Sequence, residues 1–338
     1  MELLMTRDNI LAYPISLSVV VPVFNEEDVI LEFYRRLTAV LQSMDMKQAE
    51  ILFVNDGSTD RTLSLLMQLA RSDQRVQVID LSRNFGKEAA MTAGLDHVRG
   101  DATIIIDADL QDSPELIPQM LREWRKGYDV VSMRRIRRDG ETWLKLITAR
   151  WFYRLMKSIG QIRIPQDVGD FRLLSRRAVE ALRRMPERCR FMKGVFAWIG
   201  FPTVEIPYHR EARPAGSSKW QYLGLWNLAV EGITSFSVVP LKFAGVAGLL
   251  LTAGGAGMGL YLLAKTVWLG GSISTSLLYV ALCLFLSGLQ LLAIGIVGEY
   301  LGKIMVESKQ RPLYLLNRHY RAPLSHPILS LTRKEAMP

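Results

Sequence analysis

Ser16-Leu17-Ser18-Val19-Val20-Val21-Pro22-Val23 is the stretch that decides the fold class. It is an almost unbroken β-branched run that closes on a proline. A run with no polar alternation reads as a strand buried on both faces, the habit of parallel sheets. Outward from it, strand and helix patterns alternate. Residues 26–42 read as a helix and 50–54 (EILFV) as a second strand, followed by a helix carrying Leu63, Leu66 and Leu69. Residues 75–81 give a third strand, 88–98 a helix, 102–106 (ATIII) a fourth strand, 114–126 a helix and 129–133 a further strand. This alternation predicts an α/β fold with a mostly parallel sheet and flanking helices. Ligands of such sheets bind beyond the carboxyl ends of the strands.

The polar clusters fall at those ends. Val21-Pro22-Val23-Phe24-Asn25-Glu26-Glu27 closes the first strand and Val54-Asn55-Asp56-Gly57-Ser58-Thr59-Asp60 the second. Asp56 offers a carboxylate to a base or sugar, and Gly57 permits a tight turn. Ser82-Arg83-Asn84-Phe85-Gly86-Lys87-Glu88 follows the third strand, and Asp107-Ala108-Asp109-Leu110-Gln111-Asp112 the fourth. In a bent loop past a strand end, Asp107 and Asp109 at i and i+2 can face one hard cation. Mg²⁺ or Mn²⁺ shared with nucleotide phosphates suits such a pair. Helix capping ahead of Pro114 accounts for Asp112 and Ser113, but not for the two earlier acids. Two further segments carry chemistry: Asp167-Val168-Gly169-Asp170-Phe171-Arg172, and Arg213-Pro214-Ala215-Gly216-Ser217-Ser218-Lys219-Trp220. Arg213, Ser218 and Lys219 form either a phosphate site at a membrane surface or an ordinary basic flank.

The chain has 338 residues, 49% hydrophobic and 22% charged, which excludes a disordered or collagen-like polymer. Cys189 and Cys283 are too few for a disulfide framework or a Cys-rich zinc site. All of the 33 acidic residues except Glu299, Glu307 and Glu335 precede residue 233. Residues 243–264 and 266–298 then contain no charge at all. Each exceeds the roughly 20 apolar residues that a membrane helix needs. The expected organisation is a domain over 1–232, two transmembrane helices at about 241–264 and 275–299 within 233–304, and a basic tail over 305–338. Lys242 before the hairpin, and Lys303, Lys309, Arg311, Arg318 and Arg321 after it, place the domain and both termini in the cytoplasm. No apolar signal segment opens the chain, so export of the domain is not expected.

The net charge is +9. Residues 141–160 interleave cations with Trp143, Leu144, Leu146, Trp151, Phe152 and Leu155, and 218–232 carry Trp220, Tyr222 and Trp226. Both read as amphipathic helices on an anionic bilayer, with a solvated basic face as the alternative. The hairpin accounts for the cations, so nucleic acid is not an expected partner.

In this order, the segments resemble glycosyltransferase family 2 with its GT-A fold, over roughly residues 14–320. Asn84-Phe85-Gly86-Lys87-Glu88-Ala89-Ala90 and Gly216-Ser217-Ser218-Lys219-Trp220 are similar to the polyprenyl-phosphate branch, above all to its bactoprenol glucosyltransferases. The resemblance implies inverting transfer of a hexose from a UDP-sugar to undecaprenyl phosphate, for O-antigen or other envelope glycans. It places that reaction at the bacterial inner membrane and implies a homotetramer. Pro22, Asn25, Glu26 and Asp56 would line base and ribose, with Lys87 near the nucleotide. Asp109, helped by Gln111, would ligate the metal, and Asp107 the ribose or the metal. Arg134 or Arg135, Arg213, Ser218 and Lys219 would bind pyrophosphate or lipid phosphate. Asp167 matches the acid beside the acceptor, with Asp170 as the alternative in an uncertain register. Glucose follows only from closeness to the branch; mannose, galactose, N-acetylhexosamine and aminoarabinose are the other donors. A processive polysaccharide synthase would carry more spans and a Gln-x-x-Arg-Trp segment. Against a non-catalytic, membrane-anchored nucleotide-sugar sensor or scaffold stands the presence of all the expected acids, and a ligand-free structural hairpin protein would leave the carboxylates at four strand ends unexplained.

Overall fold

The computed structural model describes residues 16–136 apart from 45 and 47, and 168–209 apart from 186, 189 and 191. It also describes scattered positions between 241 and 264, and residues 275–321. In chain order the elements are β1 (Leu17–Val23), α1 (Ile30–Ser43), β2 (Ala49–Asn55), α2 (Thr62–Ser72), β3 (Val76–Leu81), α3 (Lys87–His97) and β4 (Ala102–Ile105). A 3₁₀ turn, Pro114–Leu116, leads into α4 (Ile117–Arg125) and β5 (Val130–Arg135). Then come β6 (Val168–Ser175), α5 (Arg176–Arg183), α6 (Met192–Trp198), β7 (Thr203–Tyr208), α7 (Thr275–Ser308) and β8 (Leu316–Arg321).

Among the described residues the strands form one sheet in the order β7-β5-β6-β4-β1-β2-β3-β8. Pairs β1–β2, β1–β4, β2–β3 and β5–β7 are parallel, while β4–β6, β5–β6 and β3–β8 are antiparallel. The sheet is therefore mixed: β6 and β8 run opposite to the other strands.

Period-two alternation sends the central strands into two cores. Val19, Val21, Ile51 and Phe53 pack with Ile30, Phe33 and Leu37 of α1. Val20, Leu52, Val54 and Ile105 pack with Ala90 and Ala93 of α3 and with α5 and α6. Each fully buried aliphatic contributes about 1.5–3 kcal/mol, which is why the run at β1 is so purely apolar. A Cβ on Gly94 would lie 2.2 Å from Val20 Cγ1, so glycine lets α3 press onto β1.

The helix expected from residue 26 begins only at Ile30. The intervening loop is held by side chains instead, with the Glu26 amide donating to Thr62 Oγ1 at 2.9 Å. The larger departure is at the C-terminal end. Sequence reasoning assigned 305–338 to a basic tail, yet Leu316–Arg321 adds to the sheet as an antiparallel partner of β3. Its polar composition (LNRHYR) suits an exposed edge strand, which natural proteins charge to discourage further pairing.

The helix α7 is 34 residues long. Its stretch Phe285–Ser308 has a mean hydropathy of 1.5 with none of it buried, long and apolar enough to cross a membrane. The span expected at 241–264 is described only at scattered positions, so the hairpin is not shown. The amphipathic segments 141–160 and 218–232 lie outside the described residues.

His319 sits on β8, edge-to-face with His97 at 5.2 Å. Burial, then Arg321, His97 and Arg99, lowers its pKa to about 4 from the ordinary 6.5. The folded chain thus takes up this proton less readily than the unfolded one. The stability tied to neutral His319 is full above pH 6.5 and is lost as pH falls towards 4. Denaturant unfolding across this window is expected to show a shallower loss in His319→Gln than in the unsubstituted protein.

Candidate active site

The site starts from a topological fact. β1 pairs with β2 as far as Val23↔Asn55, but with β4 only as far as Val20↔Ile105. Beyond Val20 the two parallel neighbours part, at the point where strand order reverses, and a crevice opens there. Pro22 lies past the last β4 pair, where its missing N–H costs no ladder bond on that side.

The loops after β1, β2 and β3 are tied together by side chains. Asn25 has a left-handed backbone (φ 54). Its amide donates to Ser58 Oγ at 3.0 Å and its Oδ1 accepts from the Thr59 amide at 2.8 Å. Asp56 is 3% exposed. Its Oδ1 accepts from the Phe85 amide at 2.8 Å and its Oδ2 from the Gly86 amide at 3.0 Å. Burial pushes the Asp56 pKa up against these two bonds. Each oxygen retains a second lone pair for a ligand. Gly57 has φ +67, and a Cβ there would lie 2.5 Å from the Arg83 carbonyl carbon. Glycine is therefore required both for the backbone angle and for the approach of the two loops.

At the mouth of the crevice Lys87, the first residue of α3, places Nζ 2.6 Å from Asp107 Oδ2 and 2.6 Å from Asp170 Oδ2. Three elements meet here: α3, the end of β4, and β6. Burial depresses the Lys87 pKa, but Asp107 and Asp170 outweigh it and hold the ammonium above its usual value. Burial also pulls Asp170 upward, yet Lys87, Lys193 and Arg172 keep it well below the usual carboxylate range. Asp107 moves the other way. Burial raises it, Asp170 and Asp109 add to the rise, and Lys87 opposes them.

Asp109 is buried, and its Oδ1 accepts from the Gln111 amide at 3.2 Å across a turn in which Leu110 has φ 58. Gln111 therefore meets Asp109 through its backbone. Arg135 Nε donates to Tyr208 Oη at 3.4 Å, and Tyr208 in turn donates to Asp112. Burial and then Asp112 raise the Tyr208 pKa. Arg134 pairs instead with Glu205 at 3.6 Å. Arg172 is 3% exposed, donates to the Gly169 carbonyl at 2.7 Å and stacks 3.8 Å over Phe196. Burial lowers its pKa to about 10. Burial also lowers that of Lys193 on α6. A cavity of about 560 Å³ runs beside them, lined by Ser132, Val168, Arg172, Lys193, Phe196 and Glu205 among others.

The structure thus joins Lys87, Asp107 and Asp170 directly, with Asp109 on the same loop as Asp107. Pro22, Asn25, Glu26 and Asp56 sit on neighbouring loops of the same sheet edge. Asp167, Arg213, Ser218 and Lys219 lie outside the described residues. Tyr208, Arg172 and Lys193 were not singled out from sequence. Arg172 stood inside a quoted motif, whereas Lys193 carries no sequence signal.

The Asp107–Asp109 loop offers only hard oxygen donors, which suits Mg²⁺ or Mn²⁺ and not a soft metal. Among the described residues no three His, Cys, Asp or Glu side chains gather as a ready-made cage.

Residues 18–183 match the family described as glycosyl transferase family 2. The chain is 44% identical over 305 residues to the SfII prophage-derived bactoprenol glucosyl transferase of Shigella flexneri, covering 90% of this chain and 98% of that one. It belongs to glycosyltransferase family 2, in the polyprenyl-phosphate branch. It is also 45% identical over 303 residues to an uncharacterized glycosyltransferase of Synechocystis sp., covering 90% of this chain and 95% of the other. The prophage bactoprenol glucosyl transferase homolog of Escherichia coli K12 is 43% identical over 302 residues, covering 89% and 98%. These matches cover about nine-tenths of the chain and so extend well beyond residues 18–183, whose GT-A-like sheet is described above.

For this glycosyltransferase, Lys87→Met leaves Asp107 and Asp170 facing each other without their shared ammonium. Transferase turnover is expected to fall about 100-fold, while Lys87→Arg, which keeps the charge but not the geometry, falls less. Gly57→Ala is expected to lower stability by about 1–3 kcal/mol, read by denaturant unfolding of the full chain.

Proposed function

We propose that the protein transfers glucose from UDP-glucose to undecaprenyl phosphate, with inversion, on the cytoplasmic face of the bacterial inner membrane. The product is a lipid-linked glucose donor for O-antigen or another envelope glycan. The observation that carries this reading is the meeting of Asp107, Asp170 and Lys87 at the crevice, beside Asp109, in a chain alignable almost end to end with bactoprenol glucosyl transferases.

In this reading Pro22, Asn25, Glu26 and Asp56 hold the uracil and ribose in the welded loops. Asp107 and Asp109, with Gln111, hold Mg²⁺ or Mn²⁺. The bound ion supplies Lewis-acid neutralisation of the departing diphosphate. Lys87 orients Asp107 and Asp170 and keeps Asp170 anionic. The acceptor phosphate already carries most of its charge near neutrality, since its second pKa is about 6, so no strong base is required. Asp170, or Asp167, orients the attacking phosphate oxygen opposite the leaving UDP. Arg134, Arg135, Arg213, Ser218 and Lys219 gather the acceptor phosphate, and the buried charges of Arg172 and Lys193 add to the same positive field. An undecaprenyl chain does not leave the bilayer, so the site must come to it. The apolar helix α7 and a preceding span would hold it there as an integral membrane protein, assembled as a homotetramer.

The test is incubation of the protein in vesicles with undecaprenyl phosphate and a panel of labelled nucleotide sugars, with Mg²⁺, with Mn²⁺ and with EDTA. Labelled lipid is expected from UDP-glucose alone, lost in EDTA and lost in Asp109→Asn. Product from another donor overturns the sugar assignment, and undiminished product in EDTA overturns the metal assignment. Function that survives in Asp109→Asn without turnover supports a scaffold instead.

A further inference from the structure

Thirty-four helical residues span about 51 Å, well beyond the roughly 30 Å of a bilayer's hydrocarbon core. With the uncharged residues 275–298 in the bilayer, the surplus is the charged C-terminal end of α7, which carries Glu299, Lys303 and Glu307 and does not trail into solvent. The Arg188 amide donates to Glu307 Oε1 at 2.7 Å, on the last turn of α7. The Arg188 guanidinium donates to the Arg311 carbonyl at 2.7 Å and to the Gln310 carbonyl at 3.0 Å. Both carbonyls lie in the turn just past Ser308, so the guanidinium ties down the chain as it leaves α7 and sits near the negative pole of the helix. Gln310 takes a left-handed backbone (φ 48), which stops the helix and turns the chain back.

The returning chain is then fastened at successive points. Tyr314 Oη donates to Asp96 Oδ2 on α3 at 2.8 Å. The Leu315 carbonyl accepts from the Ser82 amide at 2.9 Å, and Asn317 Nδ2 donates to Asp80 Oδ2 at 2.7 Å. From there β8 pairs along β3. On its other side the Arg188 segment is itself bound to α3. Arg190 Nη1 donates to Thr92 Oγ1 at 3.2 Å, and the Met192 amide donates to Glu88 Oε2 at 2.7 Å. Glu88 is the neighbour of Lys87. The helix that presents Lys87 therefore also receives both fastenings of α7.

We infer that Arg188 is a positioning residue: it locks the cytoplasmic end of α7 to the catalytic sheet and so fixes the height of the Lys87–Asp107–Asp170 cluster above the bilayer. A flexible tether would need none of these bonds. A clamp uses them because a small displacement of reacting atoms costs far more rate than affinity. The inference rests on the reading of α7 as a membrane-spanning helix.

The experiment uses the full chain in proteoliposomes, as Arg188→Ala, as Tyr314→Phe and as the pair. Turnover is measured on undecaprenyl phosphate in the same vesicles and on a short-chain, water-soluble polyprenyl phosphate, alongside UDP affinity. Turnover on the embedded acceptor is expected to fall roughly tenfold in Arg188→Ala and further in the pair. Turnover on the soluble acceptor, and UDP affinity, are expected to stay within about twofold. Unchanged turnover on the embedded acceptor in the double variant overturns the clamp. A parallel fall on both acceptors with loss of UDP affinity also overturns it, since that marks ordinary structural damage. Extraction of the unsubstituted protein from vesicles by alkaline carbonate overturns the membrane reading and the clamp with it. Retention in the bilayer with unaffected variants overturns the clamp alone.

Discussion

Like charges gathered at one sheet edge must be compensated, and Lys87 compensates them. Asp107 and Asp170 arrive from neighbouring strands, one just past the parallel strand β4 and one on the antiparallel strand β6, and both end 2.6 Å from the same ammonium. Without that cation the two carboxylates would repel across a partly buried space, where charges are poorly screened. The lysine can stand there because α3 begins at that residue, directly after Gly86 with φ 96. It is held in place because the loop before α3 is pinned by the Asp56 carboxylate through the Phe85 and Gly86 amides. Asp56 therefore acts on the cluster at a distance, by fixing the backbone that launches Lys87.

Rigidity is spread unevenly around the site. The side formed by the loops after β1 and β2 is built from short segments joined by side chain to backbone bonds, with Asn25, Ser58, Thr59, Asp60 and Thr62 as partners. The other side gathers positive charge: Arg172 and Lys193 act on Asp170, and Arg135 lies within electrostatic reach of Lys193. Burial lowers the pKa of both Arg172 and Lys193, a penalty that an incoming anion would relieve. The proposed chemistry uses both halves, with preformed loops for the donor and an electropositive wall for a phosphate acceptor.

Much of the fold was legible because the central strands are buried on both faces. The runs at residues 16–23, 50–54, 75–81 and 102–106 each became a strand within a residue of the expected ends. The position of Asp107 and Asp109 was legible for the same reason, since both lie just past β4, whose end is sharply marked. Other parts were hidden for physical causes. β6 and β7 mix charges with apolar residues, as strands near a sheet edge can, so alternation alone did not find them. β8 is polar and follows a long apolar helix, and its partner β3 lies far away in sequence. Asp170 stayed an alternative to Asp167 because two acids three residues apart differ only in register. The structure shows Asp170 on β6 reaching Lys87. Lys193 matters only through where α6 packs, which no local pattern encodes.

The central claim is that the crevice, once its own carboxylates are balanced by Lys87, takes a nucleotide diphosphate only together with a divalent cation on Asp109. Electron paramagnetic resonance of Mn²⁺ titrated into the full chain tests it most directly. The account predicts one bound ion per chain when UDP is present, weak binding without UDP, and no bound ion in Asp109→Asn. Stoichiometric UDP binding with the Mn²⁺ signal still that of the free ion would contradict it.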